Sequence, residues 1–441
     1  MSQLAINSQM VRTSNKVQVP SRSHLVRIEP DSRSKAITGG SQTTWTIPTM
    51  AASGQYINPQ NSYLEFNVTV TNQTDQEARL DRGAHSLIKE VIVESNAFQV
   101  EHTANWNRLH AVLSDLQQSA GETDSTQAYL LNLDEADVRK GRKIPNAKDG
   151  VAQTQKIIMK LPSQFMNLKN EYLPAHKISN LVYKIVWATA VEAVRTHHEA
   201  GTDATGEPSI EINDPVLALD YVEVSSQTQA MIEARSGNSF SGAYWESHST
   251  TLEGGVTSAH IKIPSSKSSM KTIITGFYDR DLREAKKTAS RTFSRSFTAR
   301  HNPAVDEYSY NFNGTVVPEL GIRNLQGTDG TVTVAAEVQR AMHYLLANNS
   351  VCFKRANFAQ NPAGTTSGQD REDGSNTFLL AVSPEANGKS SHTMSGTSTL
   401  SNQPALDLKF KPALPEQCEV EQYCHFDVNF TIENGIVKLS Q

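Results

Sequence analysis

Cysteine is nearly missing from this chain: Cys352, Cys418 and Cys424 are the only three in 441 residues. So few, and an odd number, argue against a disulfide framework and for synthesis and folding in a reducing cytoplasm or nucleus. Long apolar runs are missing as well, since none approaches the roughly 18 residues that a membrane-spanning helix needs. The opening Met1-Ser2-Gln3-Leu4 lacks the charged and apolar regions of a secretory leader. Neither sign of charge dominates: 41 Lys and Arg stand against 46 Asp and Glu, a formal net charge of −5, which excludes a globally basic nucleic-acid-binding surface. Tryptophan is scarce, and Trp45, Trp106, Trp187 and Trp245 are scattered, a poor basis for an aromatic sugar-binding groove.

What is present is a long succession of short strand patterns joined by polar loops. Thr44 to Pro48 alternates, as does Tyr63 to Val70, with Leu64, Phe66 and Val68 on one face. Leu87 to Val93 is denser in apolar residues, as expected of a strand covered on both faces. The period then changes: Trp106, Leu109, Val112, Leu113 and Leu116 recur at helical spacing and predict a helix from about Ala104 to Gln117. A polar stretch from Gln118 to Asp149 follows, then strands at Lys156 to Met159, Leu181 to Trp187 and Pro215 to Ser225. Pro162 and Pro174 fall where a strand edge or turn tolerates the missing N–H.

The second half repeats this order. His260 to Pro264 stands where the Trp45 strand stood, and Lys271 to Tyr278 is another strand. Tyr308 to Val317 is broken by the turn dipeptide Asn313-Gly314 and precedes a helical pattern through Val338, Met342, Leu345 and Leu346. In the first half a strand with Asn96 precedes the helix bearing Arg108, His110 and Leu113; in the second, the Asn313 strand precedes one bearing Arg340, His343 and Leu346. Phe378 to Val382, Leu406 to Phe410 and a closing hairpin from His425 to Leu439, tipped by Asn434-Gly435, complete the chain after a polar loop at Pro362 to Asn376. The reading is all-β: two tandem eight-stranded antiparallel sandwiches with short inserted helices, at residues 43–226 and 237–441, joined by a linker at 227–236.

Residues 1–42 read as an N-terminal arm. Six basic residues, Arg12, Lys16, Arg22, Arg27, Arg33 and Lys35, face two acidic ones, Glu29 and Asp31, in a segment too polar to fold alone. Such an arm is either a loose terminus or a segment that orders on a neighbouring subunit, an anionic membrane or a genome.

Candidate chemistry is thin. His197-His198-Glu199 sits in a polar loop, where adjacent side chains diverge and no third ligand has metal spacing. Cys418, Cys424 and His425 lie on an alternating strand and read as buried small residues in place of a metal set. Asp279, Asp281 and Glu284, which pose as the paired carboxylates of a glycosidase, are interleaved with Arg280, Arg283, Lys286 and Lys287 and read as a surface ion-pair network. The basic stretch Arg280 to Arg300, with Phe293 and Phe297, suits phosphates and stacked bases, or a solvated loop paired to an acidic neighbour; the negative chain favours the loop. Catalytic, cofactor and metal sites are all expected to be absent.

Three groups of residues carry a family resemblance. Leu161-Pro162-Ser163-Gln164-Phe165 with Tyr172-Leu173-Pro174 and Leu181 to Ile185, then Leu219 to Ser225 with the helix-like Thr228 to Ala234, resemble the end of the first jelly roll in double jelly-roll major capsid proteins of icosahedral DNA viruses. Ser395 to Thr399, Leu406 to Phe410 and Asn429 to Gly435 are similar to the close of the second. The resemblance covers residues 43–441 as an order of elements. It implies two jelly rolls per chain, a homotrimer that imitates a hexagon, tiling into a virion shell, contacts with penton and minor capsid proteins, and an inward-lying arm near a membrane or genome. The rival readings are another virion component, such as a penton, spike or tail protein, and a carbohydrate-binding sandwich.

Overall fold

The computed structural model describes residues 21–32, 37–49, 54–71, 77–81, 83–117, 143–144, 153–166, 172–198, 208–236, 239–279, 293–295, 297–323, 325, 378–384 and 396–440. In the first half the strands are β1 (Ser21–Ile28), β2 (Ile37–Thr38), β3 (Gln42–Ile47), β4 (Gln55–Thr71), β5 (Glu77–Leu80), β6 (Ile88–Ser95) and β7 (Phe98–Thr103). Helix α1 (Trp106–Gln117) comes next, then β8 (Lys143–Ile144), β9 (Gln153–Lys160), β10 (Leu181–Trp187), β11 (Val194–His198) and β12 (Ser209–Val224). Helix α2 (Ser226–Ser236) leads to β13 (Ser239–Leu252), β14 (Ser258–Lys262), β15 (Met270–Asp279), β16 (Phe293–Arg295), β17 (Val305–Phe312) and β18 (Thr315–Ile322). The chain closes with β19 (Leu380–Val382), β20 (Ala405–Phe410), β21 (Cys418–Glu433) and β22 (Ile436–Ser440).

Pairing is antiparallel throughout these sheets, and it repeats. One sheet of the first half runs β1-β12-β4-β9 and its partner runs β3-β10-β6-β7; the second half has β13-β21-β15-β19 and β14-β20-β17-β18. Ranked by chain order within each half, the eight main strands are arranged first-eighth-third-sixth and second-seventh-fourth-fifth both times. That is a jelly roll, made twice. Hairpin chemistry repeats with it. The fourth and fifth strands of each roll join through residues of positive φ, Asn96 (51°) and Ala97 (68°) in one and Asn313 (53°) and Gly314 (84°) in the other. Both central residues are left-handed, which matches the twist of the flanking strands.

Alternation fills each sandwich. In the first roll Leu64, Phe66 and Val68 of β4 point inward with Trp45, Tyr183, Trp187 and Leu217, and Trp187 Nε1 donates to Thr43 Oγ1 at 2.7 Å. In the second, Ile273, Phe277, Tyr308, Tyr310, Val420 and Phe426 do the same. Fully burying one such large side chain is worth about 1.5–3 kcal/mol, so these faces supply the main stabilisation of each roll.

Two expectations change. The segment read as an arm contributes β1, whose residues from Ser21 to Ile28 pair with Val224 to Leu217 of β12, so the first roll begins at Ser21, ahead of residue 43. The pattern of β1 is polar because it lies at the sheet's edge with Ser21 to Leu25 all exposed and only Val26 and Ile28 partly covered. The dense run at 87–93 is buried on one face only, β6 alternating between buried and half-buried positions. The linker carries helix α2, over the stretch Thr228 to Ala234 that reads as helix-like in sequence. The second inserted helix, with Arg340 and His343, and the loops at 118–149 and 362–376 lie outside the described residues, apart from the two-residue β8.

Candidate functional site

Sequence-distant residues converge where the two rolls meet. Arg108 on α1 of the first roll is almost fully buried. Its Nη1 and Nη2 donate to Glu421 Oε2 (3.2 Å) and Glu419 Oε2 (3.0 Å) on β21 of the second roll, and its Nε donates to the Phe297 carbonyl at 3.2 Å. The rings of Tyr278 and Phe297 lie 4.0 and 3.9 Å from the guanidinium carbon. A planar cation with five fixed donors suits this double engagement in a way lysine cannot. Burial opposes the charge of Arg108, but Glu421 and Glu419 outweigh it and push its pKa upward. Burial in turn pushes the Glu421 carboxyl up, against the pull of Arg108. Asn105 Nδ2 completes the carboxylate, donating to Glu421 Oε1 at 3.0 Å.

A second contact is built on a turn. Glu101, at the end of β7, is buried and accepts from Ser163 Oγ (2.5 Å), Gln164 N (2.8 Å), Phe165 N (2.9 Å) and Thr103 Oγ1 (3.0 Å). This fixes the turn after β9, so that the Gln164 side chain reaches the free edge of β13. Its Nε2 donates to the Trp245 carbonyl at 2.9 Å, and the Trp245 N–H donates to its Oε1 at 2.5 Å. One amide side chain thus replaces a neighbouring strand at that point. Phe165 packs beside it on Phe430 (5.3 Å) and Phe240 (6.3 Å).

Farther along, the Ser179 N–H donates to the Gly435 carbonyl (2.8 Å) and the Val437 N–H to Ser95 Oγ (3.1 Å), tying the segment before β10 and the end of β6 to the β21–β22 hairpin. Gly435 has φ +80°, and a side chain there would collide with the Ser179 hydroxyl. A small sheet, β16-β11-β5-β8, spans the same boundary, since β16 comes from the second half and the other three strands from the first. Thr298 N–H donates to Asp81 Oδ2 at 2.9 Å next to it. The result is a rigid join.

The residues singled out in sequence fall elsewhere or acquire other work. Cys418 and Cys424 are buried six positions apart on β21, roughly 20 Å at about 3.3 Å per residue, too far to share an ion. Burial pushes the Cys424 thiol up to about 12. His425 stacks on Trp245 at 4.5 Å. His197 and His198 form backbone pairs in the small sheet, His198 opposite Phe293, while their side chains and Glu199 lie outside the described residues, as do Asp281, Glu284 and the side chain of Asp279. Among the described residues no three His, Cys, Asp or Glu side chains form a metal set, and no helix is long and apolar enough to cross a membrane.

The basic stretch divides. Arg280, Arg283, Lys286, Lys287 and Arg291 lie outside the described residues, but Phe297 and Arg300 are buried, Phe297 against Arg108 and Arg300 Nε donating to the Phe378 carbonyl at 3.3 Å. Neither is presented for stacking on bases, and neither is a solvated loop residue. In the arm, Arg22 pairs with Glu223 (2.6 Å) and Arg27 with Glu65 (2.9 Å), whereas Arg12, Lys16, Arg33 and Lys35 lie outside the described residues. Hydrogen bonds from Arg27 and Lys156 hold the Glu65 carboxyl down at about 2. Sequence reasoning named Arg108 as a helix residue without seeing its partners, which lie 189 to 313 positions away.

No protein-family model and no curated protein matches the sequence. Solved structures do match. VP54 of PBCV-1, fitted into a reconstruction of the virophage Sputnik, is 11% identical, with a TM-score of 0.60 over 97% of this chain and 98% of that one. The chain has the fold of the double jelly-roll major capsid proteins. A Sputnik virophage chain aligns with a TM-score of 0.58 at 10% identity, covering 96% of this chain and 89% of its own. The Faustovirus major capsid protein aligns at 0.56 and 8% identity, covering 96% of this chain and 92% of its own. The shared fold therefore spans nearly the whole of this chain, at identities of 8–11%, where sequence no longer shows kinship.

Proposed function

We propose that this chain is the major capsid protein of an icosahedral DNA virus, a structural building block whose three copies close into a pseudo-hexameric capsomer. The observation that carries the reading is the repeat of one strand order in both rolls, locked by the buried seam at Arg108 and Gln164. A shell subunit needs flat-sided, rigid walls and large surfaces for copies of itself. Two equivalent rolls held at one fixed angle let three chains present six similar sides, and closed heterologous contacts make the ring.

In the virion such capsomers tile the shell and meet penton and minor capsid proteins, after synthesis in the host cytoplasm or nucleus. Arg12, Lys16, Arg33 and Lys35 are the arm residues proposed to meet an inner membrane or genome, since Arg22 and Arg27 are engaged by Glu223 and Glu65. Light scattering on the purified full chain tests the assignment. Three chains per particle support it, and a stable monomer at micromolar concentration rejects it.

A further inference from the structure

Two imidazoles lie face to face where α1 meets the body of the first roll. His85 stands in the 3₁₀ turn Ala84–Leu87 between β5 and β6, and His110 stands on α1, two residues past Arg108. Their ring centroids are 3.2 Å apart and the planes differ by 14°. His85 is buried, at 8% exposure, and its Nδ1 has no hydrogen-bond partner among the described residues. His110 is half-buried, with Nδ1 3.0 Å from Ser114 Oγ and the Trp106 ring 6.4 Å away.

Such a stack holds one proton while the facing ring stays neutral. A second proton puts two like charges in contact, and on His85 it creates a charged donor in a site where burial already penalises charge. The rings must then part, and the two sides are not equally free to move. The turn carrying His85 is pinned at its backbone: Ser86 Oγ donates to the Gly83 and Ala193 carbonyls, each at 2.9 Å, and the Ala188 N–H donates to the Leu87 carbonyl at 2.8 Å. His110 rides on α1, and Arg108 projects from nearly the opposite side of that helix, since two residues turn it by about 200°. Displacing His110 therefore displaces the guanidinium that holds Glu419 and Glu421 across the seam. We infer that the His85–His110 stack is an acid-sensitive latch: as pH falls below about 6.5 the second proton parts the rings, shifts α1 and loosens the Arg108 clamp between the rolls.

Charges around the pair are already committed. The turn at 84–87 also packs on β5, β6 and the short helical turn Ala190–Ala193. There Lys89 pairs with Glu192 (2.9 Å), Glu90 with His102 (3.2 Å) and Glu94 with Lys184 (2.6 Å), while Asp81 accepts from the Thr298 N–H at 2.9 Å. The side chains of Glu77, Arg79, Arg82 and Asp115 lie outside the described residues. Burial first, and the His110 charge second, hold His85 well below the usual 6.5. A base held below its unfolded value binds fewer protons in the folded chain than in the unfolded one. Its contribution to stability is therefore complete above 6.5 and is lost as pH falls beneath it. Glu65 and Glu246 give way only below 4.5, so the two acid steps are separate. The latch works within one chain and stands apart from the capsid reading.

Amide hydrogen exchange on the full chain, corrected for the intrinsic rate at each pH, tests the latch. Between pH 6.5 and 5 the protection of residues 106–117 should fall about tenfold per pH unit, the effect of one proton. His85→Phe keeps a stacked ring and removes the second titrating group, so its protection should stay flat over the same range. His102→Gln, which alters an exposed histidine on β7, should leave the decline as it is. Flat protection in the unmodified chain, or an equal decline in His85→Phe, overturns the latch. Should His85→Phe lose its fold, exchange of the imidazole C2 hydrogens, read by mass spectrometry on the unmodified chain, takes its place. A titration midpoint for His85 below 6.5, together with the decline at 106–117, supports the latch, and a midpoint at or above 6.5 overturns it.

Discussion

β1 and β13 occupy the same place in two copies of one fold and live in opposite surroundings. β13 is capped by the Gln164 amide and its Trp245 is buried; β1 shows five consecutive exposed residues and is tied to its sheet by surface ion pairs, Arg22 to Glu223 and Arg27 to Glu65. The difference teaches that topology alone does not decide what a strand edge is for. The sequences follow the surroundings: β13 carries Phe240, Tyr244 and Trp245, while β1 reads Ser-Arg-Ser-His-Leu-Val-Arg-Ile and passes for part of a disordered arm.

The largest effect should come from removing the seam's centre. Arg108→Ala leaves Glu421 buried without its cation, a loss of about 3–5 kcal/mol for a broken buried pair. Chemical denaturation should show that loss, or a split into two transitions as the rolls uncouple. Gln164→Ala strips the cap from β13 and leaves the Trp245 N–H and carbonyl unpaired; about 1–3 kcal/mol is expected, read as a lowered urea midpoint with unchanged slope.

Acid should act on both rolls. Hydrogen bonds from Arg27 and Lys156 hold Glu65 at about 2; in the second roll, although burial works against it, His248 at 3.4 Å and Lys267 at 3.0 Å hold Glu246 at about 2. Both lie below the ordinary 4.5, so their contribution is complete above that value and is lost as pH falls from 4.5 towards 2. Melting temperature followed from pH 6 to 2.5 should decline more steeply below about 4.5, and Glu246→Gln should flatten that decline. The smallest effect is on β1 itself. Arg27→Ala removes one half-exposed pair but leaves Lys156 on Glu65, so it should lower the melting temperature only slightly, far less than Arg108→Ala.

Much of this fold was legible because local chemistry sufficed. Asn313-Gly314 and Asn434-Gly435 announce hairpins wherever they stand, and the helical spacing of Trp106, Leu109, Val112 and Leu116 sits within the strand pattern as α1 does within the first roll. The repeated order of periods was enough to see two rolls. The seam was not legible, because Arg108 meets Glu419 and Glu421 only after both rolls have folded, and a single arginine on a helix carries no sign of partners 311 and 313 residues away. β1 was hidden for a related reason: at the sheet's edge, with its first five residues exposed, it has no sustained apolar alternation to announce it. Phe297 was misleading in the other direction: its basic neighbours suggested a solvated loop, or less readily a phosphate site, where the folded chain buries its ring against Arg108.

On the proposed function, two equivalent rolls in one chain serve to let three chains imitate a hexagon. Negative-stain electron microscopy of the purified full-length protein tests it most directly. Class averages should show six lobes around a threefold axis, with a mass of three chains by light scattering on the same sample. Isolated two-lobed particles with the mass of one chain would contradict the account.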